Sequence, residues 1–179
     1  MNFETSNVSA QPVTADVHRT PVQQSVLFVC LGNICRSPSA QGIFSHLAAS
    51  RAGNPKYVVD SAGTHDYHVG KGPDARAVEA NRRAGVDIST QRARQFAVAD
   101  FDHFDHILVM DERNRAHLAE MCPPRLAHKV KPIVSLIGRD DLDCVPDPFH
   151  GEEKDFDDMV ELLFDVCGAT LDALDQHAA

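Results

Sequence analysis

A cysteine and an arginine six positions apart stand out in the stretch VCLGNICRSP, residues 29–38. A cysteine thiolate is a strong nucleophile, and the planar guanidinium of Arg36 can pair with two oxygens of an oxyanion. Between them, Gly32 can adopt a positive φ at little cost and Asn33 tolerates the left-handed region, so successive backbone N–H groups can turn inward. The stretch therefore predicts a backbone cradle that holds an oxyanion over Cys30.

The residues around Cys30 favour a nucleophile over a core residue. A free cysteine taken alone is most often a small buried hydrophobic residue. Here the backbone amides and the positive N-terminal end of a following helix would favour the thiolate form. Ser37 is placed to hydrogen-bond the thiolate and to ease its departure as a leaving group. The other residues of the cradle are Leu31, Ile34 and Cys35.

Two other kinds of site fit this loop less well. A nucleotide-binding P-loop ends in Gly-Lys-Ser/Thr, and the loop lacks this ending. A structural zinc site needs further paired cysteines or histidines near Cys30 and Cys35, and the ten histidines are dispersed. Two pairs of histidines are close in sequence, His65/His68 and His103/His106. We interpret these pairs as solvated polar residues and expect no metal.

The elements that position the loop follow from hydrophobic periodicity. The apolar run at residues 25–30 predicts a strand that is buried on both faces. Apolar residues then recur at helical spacing, which predicts a helix over residues 37–51. They are Ala40, Ile43, Phe44, Leu47 and Ala48. The loop therefore lies between a strand and a helix, where open parallel sheets bind their ligands.

Strands and helices continue to alternate along the chain. Further strands are predicted at residues 57–63, 106–110 and 129–137, the last with Pro132 restricting its pairing. Helices are predicted at residues 74–84 and 111–121, and an apolar stripe from Phe156 to Leu174 predicts a C-terminal helix. This alternation predicts an α/β fold with a parallel sheet.

Composition limits the class of protein. The 179 residues suit one domain, predicted at residues 25–179, and the polar residues 1–24 are predicted to form a flexible extension. The net charge of −9 argues against a nucleic-acid partner. No apolar stretch approaches the roughly 20 residues that span a bilayer, so we expect no membrane insertion. An odd number of cysteines, five, and the absence of a secretory signal predict reduced thiols in the cytoplasm.

Residues 29–38 match every specified position of Val-Cys-x-Gly-Asn-x-Cys-Arg-Ser-Pro, the loop pattern of the low-molecular-weight protein tyrosine phosphatases. The resemblance continues in DSAGT at 60–64, VGKGPDARAV at 69–78, ARQF at 93–96, FDHILVMDE at 104–112 and DPF at 147–149. The chain resembles the bacterial members more than the eukaryotic ones, because Ala84 stands where the latter carry a histidine and Phe149 and His150 replace their paired tyrosines. The resemblance implies a three-layer α/β/α fold with a four-stranded parallel sheet, phosphatase I-like, with flavodoxin-like topology.

The resemblance also implies an activity and assigns site residues. The activity is hydrolysis of phosphotyrosine and small aryl phosphates through a cysteinyl-phosphate, without a metal or organic cofactor. Asp147, from the Asp-Pro-aromatic segment, corresponds to the family's general acid. Tyr67 and Phe149 correspond to residues that flank the substrate ring, whereas Ser61 and Asp111 correspond to supports of the loop.

Cys35 corresponds to the family's second loop cysteine, which can form a disulfide with the nucleophile. Such a bond would block attack while protecting Cys30 from irreversible oxidation. The alternative is a small loop residue without a regulatory role.

The expected partners are phosphotyrosine proteins, among them a bacterial tyrosine kinase, with phosphate or other oxyanions as inhibitors in the loop. Two alternative functions remain. A thiol-dependent arsenate reductase would need two more redox cysteines; Cys122 could serve as one, but Met110 and Asp111 occupy the region of the other. A noncatalytic phosphotyrosine-binding protein would need neither the nucleophile nor the acid.

Overall fold

The computed structural model of the protein describes residues 23–51, 57–138 and 142–178. The predicted flexible extension, residues 1–24, lies outside them except for Gln23 and Gln24. Four parallel strands form one sheet in the order β2-β1-β3-β4. They are β1 (Ser25–Cys30), β2 (Val58–Gly63), β3 (His106–Val109) and β4 (Val130–Pro132). The predicted parallel sheet is confirmed.

Five α-helices accompany the sheet in the described part of the chain. They are α1 (Arg36–Ala49), α2 (Ala75–Arg83), α3 (Asp100–His103), α4 (Glu112–Met121) and α5 (Glu153–Ala178). Four of them confirm the helices predicted from periodicity, with small differences at the ends. The short α3 and a 3-10 helix at Pro124–Lys129 were not expected, because so few residues show no helical period.

The strand predicted at residues 129–137 is wrong over most of its length. Pairing with β3 stops at Pro132, opposite Val109. Proline has no N–H to donate to a sheet, and a strand containing it is confined to an edge. The chain then turns into a 3-10 helix at Ile133–Leu136, so β4 is a three-residue edge strand.

The side chains of β1 alternate between two layers of helices. Val26 and Phe28 belong to the core cluster that α1 and α5 complete, with Ile43 and Leu163 as examples. Leu27 and its neighbours on the opposite face belong to a second cluster that includes Leu118 of α4. The continuous apolar run is therefore buried on both faces, which makes the fold a three-layer α/β/α sandwich as expected.

The two ends of α1 lie in different surroundings. Its first residue, Arg36, is buried at the carboxyl end of β1. Arg51, just beyond its last residue, forms ion pairs with Asp172 at 2.7 Å and Asp175 at 2.9 Å on α5. The hydroxyl of Tyr57 donates to Asp175 Oδ1 at 2.6 Å. We call Arg51, Tyr57, Asp172 and Asp175 the Arg51 cluster; it fastens the end of α1 to α5.

No helix in the described ranges is long and apolar enough to cross a membrane.

Candidate active site

The loop between β1 and α1 turns sharply at Asn33. Asn33 is the non-glycine residue with a positive φ, 56°, within the part of the chain that the structure describes. The sequence suggested that Gly32 could adopt a positive φ, but its φ is not positive in the structure. Its role is close packing instead, because a Cβ there would lie 2.9 Å from Cδ2 of His68. Gly63, at the end of β2, is also required for close packing, since a Cβ at this position would lie 2.9 Å from the carbonyl oxygen of Leu31.

The thiol of Cys30 lies at the end of β1, buried and in contact with hydrogen-bond donors. Its Sγ is 3.0 Å from Ser37 Oγ and accepts the backbone N–H of Asn33 at 3.3 Å. Only 3% of Cys30 is exposed to solvent. The sulfur therefore lies between a side-chain hydroxyl and a backbone N–H at the carboxyl end of the strand.

Asn33 connects the loop to three other segments. Its side-chain Nδ2 donates to Ser37 Oγ at 2.9 Å and to Ser61 Oγ at 2.8 Å, and its Oδ1 accepts the backbone N–H of Arg94 at 2.9 Å. Ser61 donates in turn to Gln41 Oε1 at 2.7 Å. Ser61 thus contacts the loop directly through Asn33. Gln41 and Arg94 were not identified as site residues from sequence. Gln41 belongs to no quoted motif, and Arg94 lies in the ARQF segment without an assigned role; both meet Asn33 and Ser61 only through the fold.

Arg36 lies between two carboxylates. Its Nη1 donates to Asp111 Oδ2 at 2.6 Å and to the carbonyl oxygen of Val145 at 3.2 Å, and its Nη2 donates to Asp147 Oδ2 at 2.8 Å. Burial by itself would lower the pKa of Arg36, but the charge on Cys30 and the contacts with Asp111 and Asp147 outweigh it and raise the pKa. Arg36 is therefore a permanent, largely desolvated cation beside the thiol.

Helix α4 and the sheet hold the partners of Arg36 in place. Asp111 is the N-cap of α4, and its Oδ1 accepts the backbone N–H of Asn114 at 2.8 Å. The N–H of Val145 donates to the carbonyl oxygen of Met110 at 2.9 Å, just beyond β3. Asp147 is less restrained: its Oδ1 accepts the N–H of Phe149 at 3.2 Å, and 41% of its side chain is exposed.

These groups surround a cavity of about 170 Å³ that opens to solvent. Its lining residues are Cys30, Leu31, Gly32, Ile34, Cys35, Arg36, Tyr67, His68, Asp147, Phe149 and His150. Of the predicted site residues, Asn33 and Ser37 lie behind the thiol and do not line the cavity. Tyr67 and Phe149 form the mouth and remain 62% and 38% exposed. His68 and His150 are cavity residues that sequence reasoning did not identify as such.

The other cysteines differ from Cys30 in their surroundings. All five are free thiols. Burial raises the pKa of Cys35, and the negative charges of Asp74, Cys30 and Asp147 raise it further. Cys35 is therefore a neutral thiol at physiological pH. Cys122 lies elsewhere, beside Ala127 and Val130, and burial raises its pKa.

Several histidines contact aromatic side chains, among them His65, His68 and His150. His65 stacks on Tyr67 with ring centroids 5.0 Å apart, and its Nδ1 is 2.9 Å from Thr64 Oγ1. Within residues 23–51, 57–138 and 142–178, no group of three or more histidines, cysteines and carboxylates has the geometry to hold a metal ion.

A family model extends this picture to the whole domain. The model described as low molecular weight phosphotyrosine protein phosphatase matches residues 25–179. The chain belongs to this family. The phosphatases of this family are hydrolases, and the chain resembles them from β1 to α5 rather than in the loop alone.

Named relatives agree with the family model. A putative low molecular weight protein-tyrosine-phosphatase of Synechocystis is 42% identical over 150 residues, which cover 83% of this chain and 95% of that protein. The crystal structure of a protein tyrosine phosphatase from Entamoeba histolytica, with Hepes in its active site, has a TM-score of 0.82 and 33% identity, covering 88% of this chain and 100% of the other. Vibrio vulnificus Wzb, in complex with benzylphosphonate, has a TM-score of 0.73 and 28% identity, with 83% and 97% of the two chains covered.

Proposed function

We propose that the protein hydrolyses phosphotyrosine in proteins, and small aryl phosphates, through a phosphorylated Cys30. One observation carries the proposal: the thiol of Cys30, the guanidinium of Arg36 and the carboxylate of Asp147 line one cavity. Together they supply a nucleophile, a cation for the phosphoryl oxygens and a proton donor, which is what phosphomonoester cleavage by a thiol requires. Membership of the phosphatase family supports the same reaction.

The first step transfers the phosphoryl group to sulfur. The thiolate of Cys30 attacks phosphorus, the S–P bond forms and the P–O bond to the tyrosine ring breaks. Asp147, protonated in this step, gives its proton to the leaving phenolic oxygen. The carboxylate of Asp147 contacts Arg36 Nη2 in this structure, so a bound phosphate dianion takes its place on Nη2. Asp111 keeps Nη1, which orients the guanidinium.

The second step returns the free enzyme. Asp147, now a carboxylate, takes a proton from water while the water oxygen attacks phosphorus and the S–P bond breaks. The departing sulfur is again a thiolate, which Ser37 Oγ and the N–H of Asn33 stabilise. Arg36 stabilises the equatorial phosphoryl oxygens in both steps.

Aromatic residues at the mouth favour a ring-bearing substrate. Tyr67 and Phe149 stand on the cavity rim and can flank a phenyl ring, while Leu31 adds an exposed apolar surface. The benzylphosphonate bound by Vibrio vulnificus Wzb carries a phenyl ring beside a phosphorus oxyanion, as phosphotyrosine does. Phosphotyrosine proteins are therefore the proposed substrates, and phosphate and related oxyanions the proposed competitive inhibitors.

The setting of the reaction follows from its nucleophile. A thiol that must remain reduced suits the cytoplasm, where low-molecular-weight thiols keep cysteines free. Because the family includes bacterial phosphatases, a bacterial tyrosine kinase is the proposed partner in signalling. Cys35 is proposed to protect Cys30 by forming a disulfide under oxidising conditions.

The test compares hydrolysis of p-nitrophenyl phosphate and a phosphotyrosine peptide by the wild type, Cys30→Ser and Asp147→Asn. We expect Cys30→Ser to lose turnover almost completely and to trap no phosphocysteine. Asp147→Asn should lower kcat by about 10²- to 10⁴-fold with substrate binding largely kept. Wild-type turnover by Cys30→Ser would refute the mechanism.

Arsenate reduction coupled to thioredoxin is measured in parallel as the rival activity. We expect none, because Cys122 does not line the cavity of Cys30. A noncatalytic binding protein would bind the phosphopeptide without turning it over.

A further inference from the structure

Arg76, in the first turn of α2, contacts the segment that follows Asp147 and is linked through Asp74 to the phosphate-binding loop, but it does not line the cavity. Its guanidinium lies 4.4 Å from the ring centroid of Phe156 and 5.9 Å from that of Phe149. Both distances are within the range of a cation–π contact. The remaining contacts of Arg76 are hydrogen bonds, and they run in two directions.

In the first direction, Arg76 reaches the phosphate-binding loop through Asp74. The carboxylate of Asp74 accepts the backbone N–H of Arg76 at 2.9 Å, its Nε at 3.0 Å and its Nη2 at 2.9 Å. The backbone N–H of Asp74 donates to the carbonyl oxygen of Ile34 at 2.8 Å. Asp74 is thus held to the loop by its backbone and to Arg76 by its side chain.

In the second direction, Arg76 reaches the segment that carries the proposed general acid. Its Nη2 donates to the carbonyl oxygen of Phe149 at 3.1 Å, and its Nη1 donates to that of Gly151 at 3.2 Å. Phe149 also donates its N–H to Asp147 Oδ1. A displacement of Phe149 therefore moves the carboxylate of Asp147 directly.

We propose that Arg76 is a positioning residue that sets the distance between Asp147 and the phosphate-binding loop. The planar guanidinium bridges Asp74, whose backbone holds Ile34, and two carbonyls that follow Asp147. Asp147 has little else to fix it, because its side chain is 41% exposed and its contact with Arg36 is given up to the substrate. Arg76 therefore governs proton donation to the leaving group, and this role rests on the proposed function of Asp147.

The role has a consequence that general structural support would not have. Protonation matters greatly for a poor leaving group such as phenol and little for a good one such as dinitrophenol. A misplaced acid should therefore slow phenyl phosphate far more than 2,4-dinitrophenyl phosphate. A loss of packing or of phosphate binding would slow both substrates alike.

The test measures kcat and KM for phenyl, p-nitrophenyl and 2,4-dinitrophenyl phosphate with the wild type, Arg76→Met and Arg82→Met. Arg82 is the matched control, because it lies on the same helix and pairs with Glu79 instead of a loop. Arg76→Met should lower kcat/KM, which reports phosphoryl transfer to Cys30, by about 10- to 100-fold for phenyl phosphate and by about twofold or less for the dinitrophenyl ester. Arg82→Met should behave as the wild type with all three substrates.

A double variant tests whether Arg76 acts through Asp147 or contributes to catalysis independently of it. In an Asp147→Asn background, Arg76→Met should change kcat/KM for phenyl phosphate by less than about twofold, because the acid through which Arg76 acts is gone. Equal losses of kcat/KM with all three esters, or additive losses in the double variant, would overturn the proposal. If Arg76→Met does not fold, Arg76→Lys carries the same test, since lysine keeps the charge but cannot bridge both carbonyls and Asp74. A wild type without turnover would instead refute the proposed function itself.

Discussion

Two arginines at opposite ends of α1 each contact two aspartates, yet they serve different purposes. Arg36 pairs with Asp111 and Asp147 and is 3% exposed, whereas Arg51 pairs with Asp172 and Asp175 and is 31% exposed. Burial opposes the charge of both arginines, and their partners outweigh it and raise both pKa values: Cys30, Asp111 and Asp147 at Arg36, and Asp175 and Asp172 at Arg51. The paired aspartates by themselves therefore do not distinguish the two sites.

Burial and the neighbouring groups do distinguish them. Arg36 lies beside the thiol of Cys30 and faces a cavity that a dianion can enter, so its charge acts at short range with little screening. Water and salt screen the Arg51 cluster, in which Asp172 is 62% exposed. The same arrangement of charges is suited to bind an anion where it is buried and open to a cavity, and contributes only modestly to stability where it is at the surface.

The largest expected effect comes from replacing Arg36 by lysine, with the same replacement at Arg51 as the matched comparison. Arg36→Lys should lower kcat/KM for p-nitrophenyl phosphate by about 10³-fold, because an ammonium cannot make the bidentate contact with phosphoryl oxygens. Arg51→Lys should leave kcat/KM within about twofold of the wild type. Similar losses in the two variants would remove the distinction drawn between buried and exposed sites.

A smaller effect is expected from Asn33→Ala in the buried network around the thiol. The variant removes the side-chain N–H groups that donate to Ser37 Oγ and Ser61 Oγ, and it places alanine at a φ of 56°. We expect the free energy of unfolding to fall by about 2–4 kcal/mol and kcat to fall by about 10-fold or more. Urea denaturation and steady-state kinetics measure the two effects. Ser50→Ala, which removes an exposed hydrogen bond to Leu47, is the control and should change neither quantity appreciably.

The Arg51 cluster should make a smaller contribution to stability, and one that depends on salt. Arg51→Ala is expected to lower the free energy of unfolding by up to about 1 kcal/mol, which corresponds to a Tm shift of about 2–4 °C. Raising the ionic strength should reduce the difference from the wild type, because the pairs are accessible to ions. Thermal unfolding of both proteins at low and high salt measures this difference in stability. A difference that did not change with salt would mean that ions do not screen the cluster.

The smallest expected effect concerns alkaline pH. Burial raises the pKa of Tyr57 above its ordinary value of 10.0, and the hydrogen bond to Asp175 raises it further. Because the folded pKa is above the unfolded one, this stabilisation is fully present below about pH 10 and is lost as the pH rises further. Tyr57→Phe should therefore be about 0.5 kcal/mol less stable than the wild type at pH 8, with the gap closing above pH 10. Urea midpoints across that range measure the gap; a gap that widened would contradict the assignment.

Local patterns were sufficient to predict most of the fold. The run at Ser25–Cys30 and the stripe on α5 bury apolar surface in ways that periodicity reveals, and both elements were predicted. The strand at residues 129–137 was predicted too long, because a hydrophobic run does not show where a proline at a sheet edge ends the pairing. Helix α3 was missed because one helical turn has too few residues to show a period.

The site was predictable to the extent that its residues form a contiguous motif. Cys30 and Arg36 share a loop whose residue types indicate oxyanion binding, and Asp147 was identified through the resemblance to the phosphatase family. The contacts of Gln41 with Ser61, of Arg94 with Asn33 and of Arg76 with Phe149 join distant segments. Such contacts depend on the packing of loops. Arg94 and Arg76 lie in segments that resemble the family, but the residue types of a segment do not show which distant residue it contacts.

The sequence by itself therefore determined the chemistry available to this protein: a thiol, a guanidinium and a carboxyl group, with a loop able to bend around an anion. The tertiary structure decided their arrangement. Parallel strands bring the carboxyl ends of β1 and β3 to the same edge, which places Arg36 between Asp111 and Asp147. It also buries that arginine while leaving Arg51 near water. Burial lowers the screening around a charge, and for this reason the Arg36 cluster, rather than the Arg51 cluster, is the one proposed to act in catalysis.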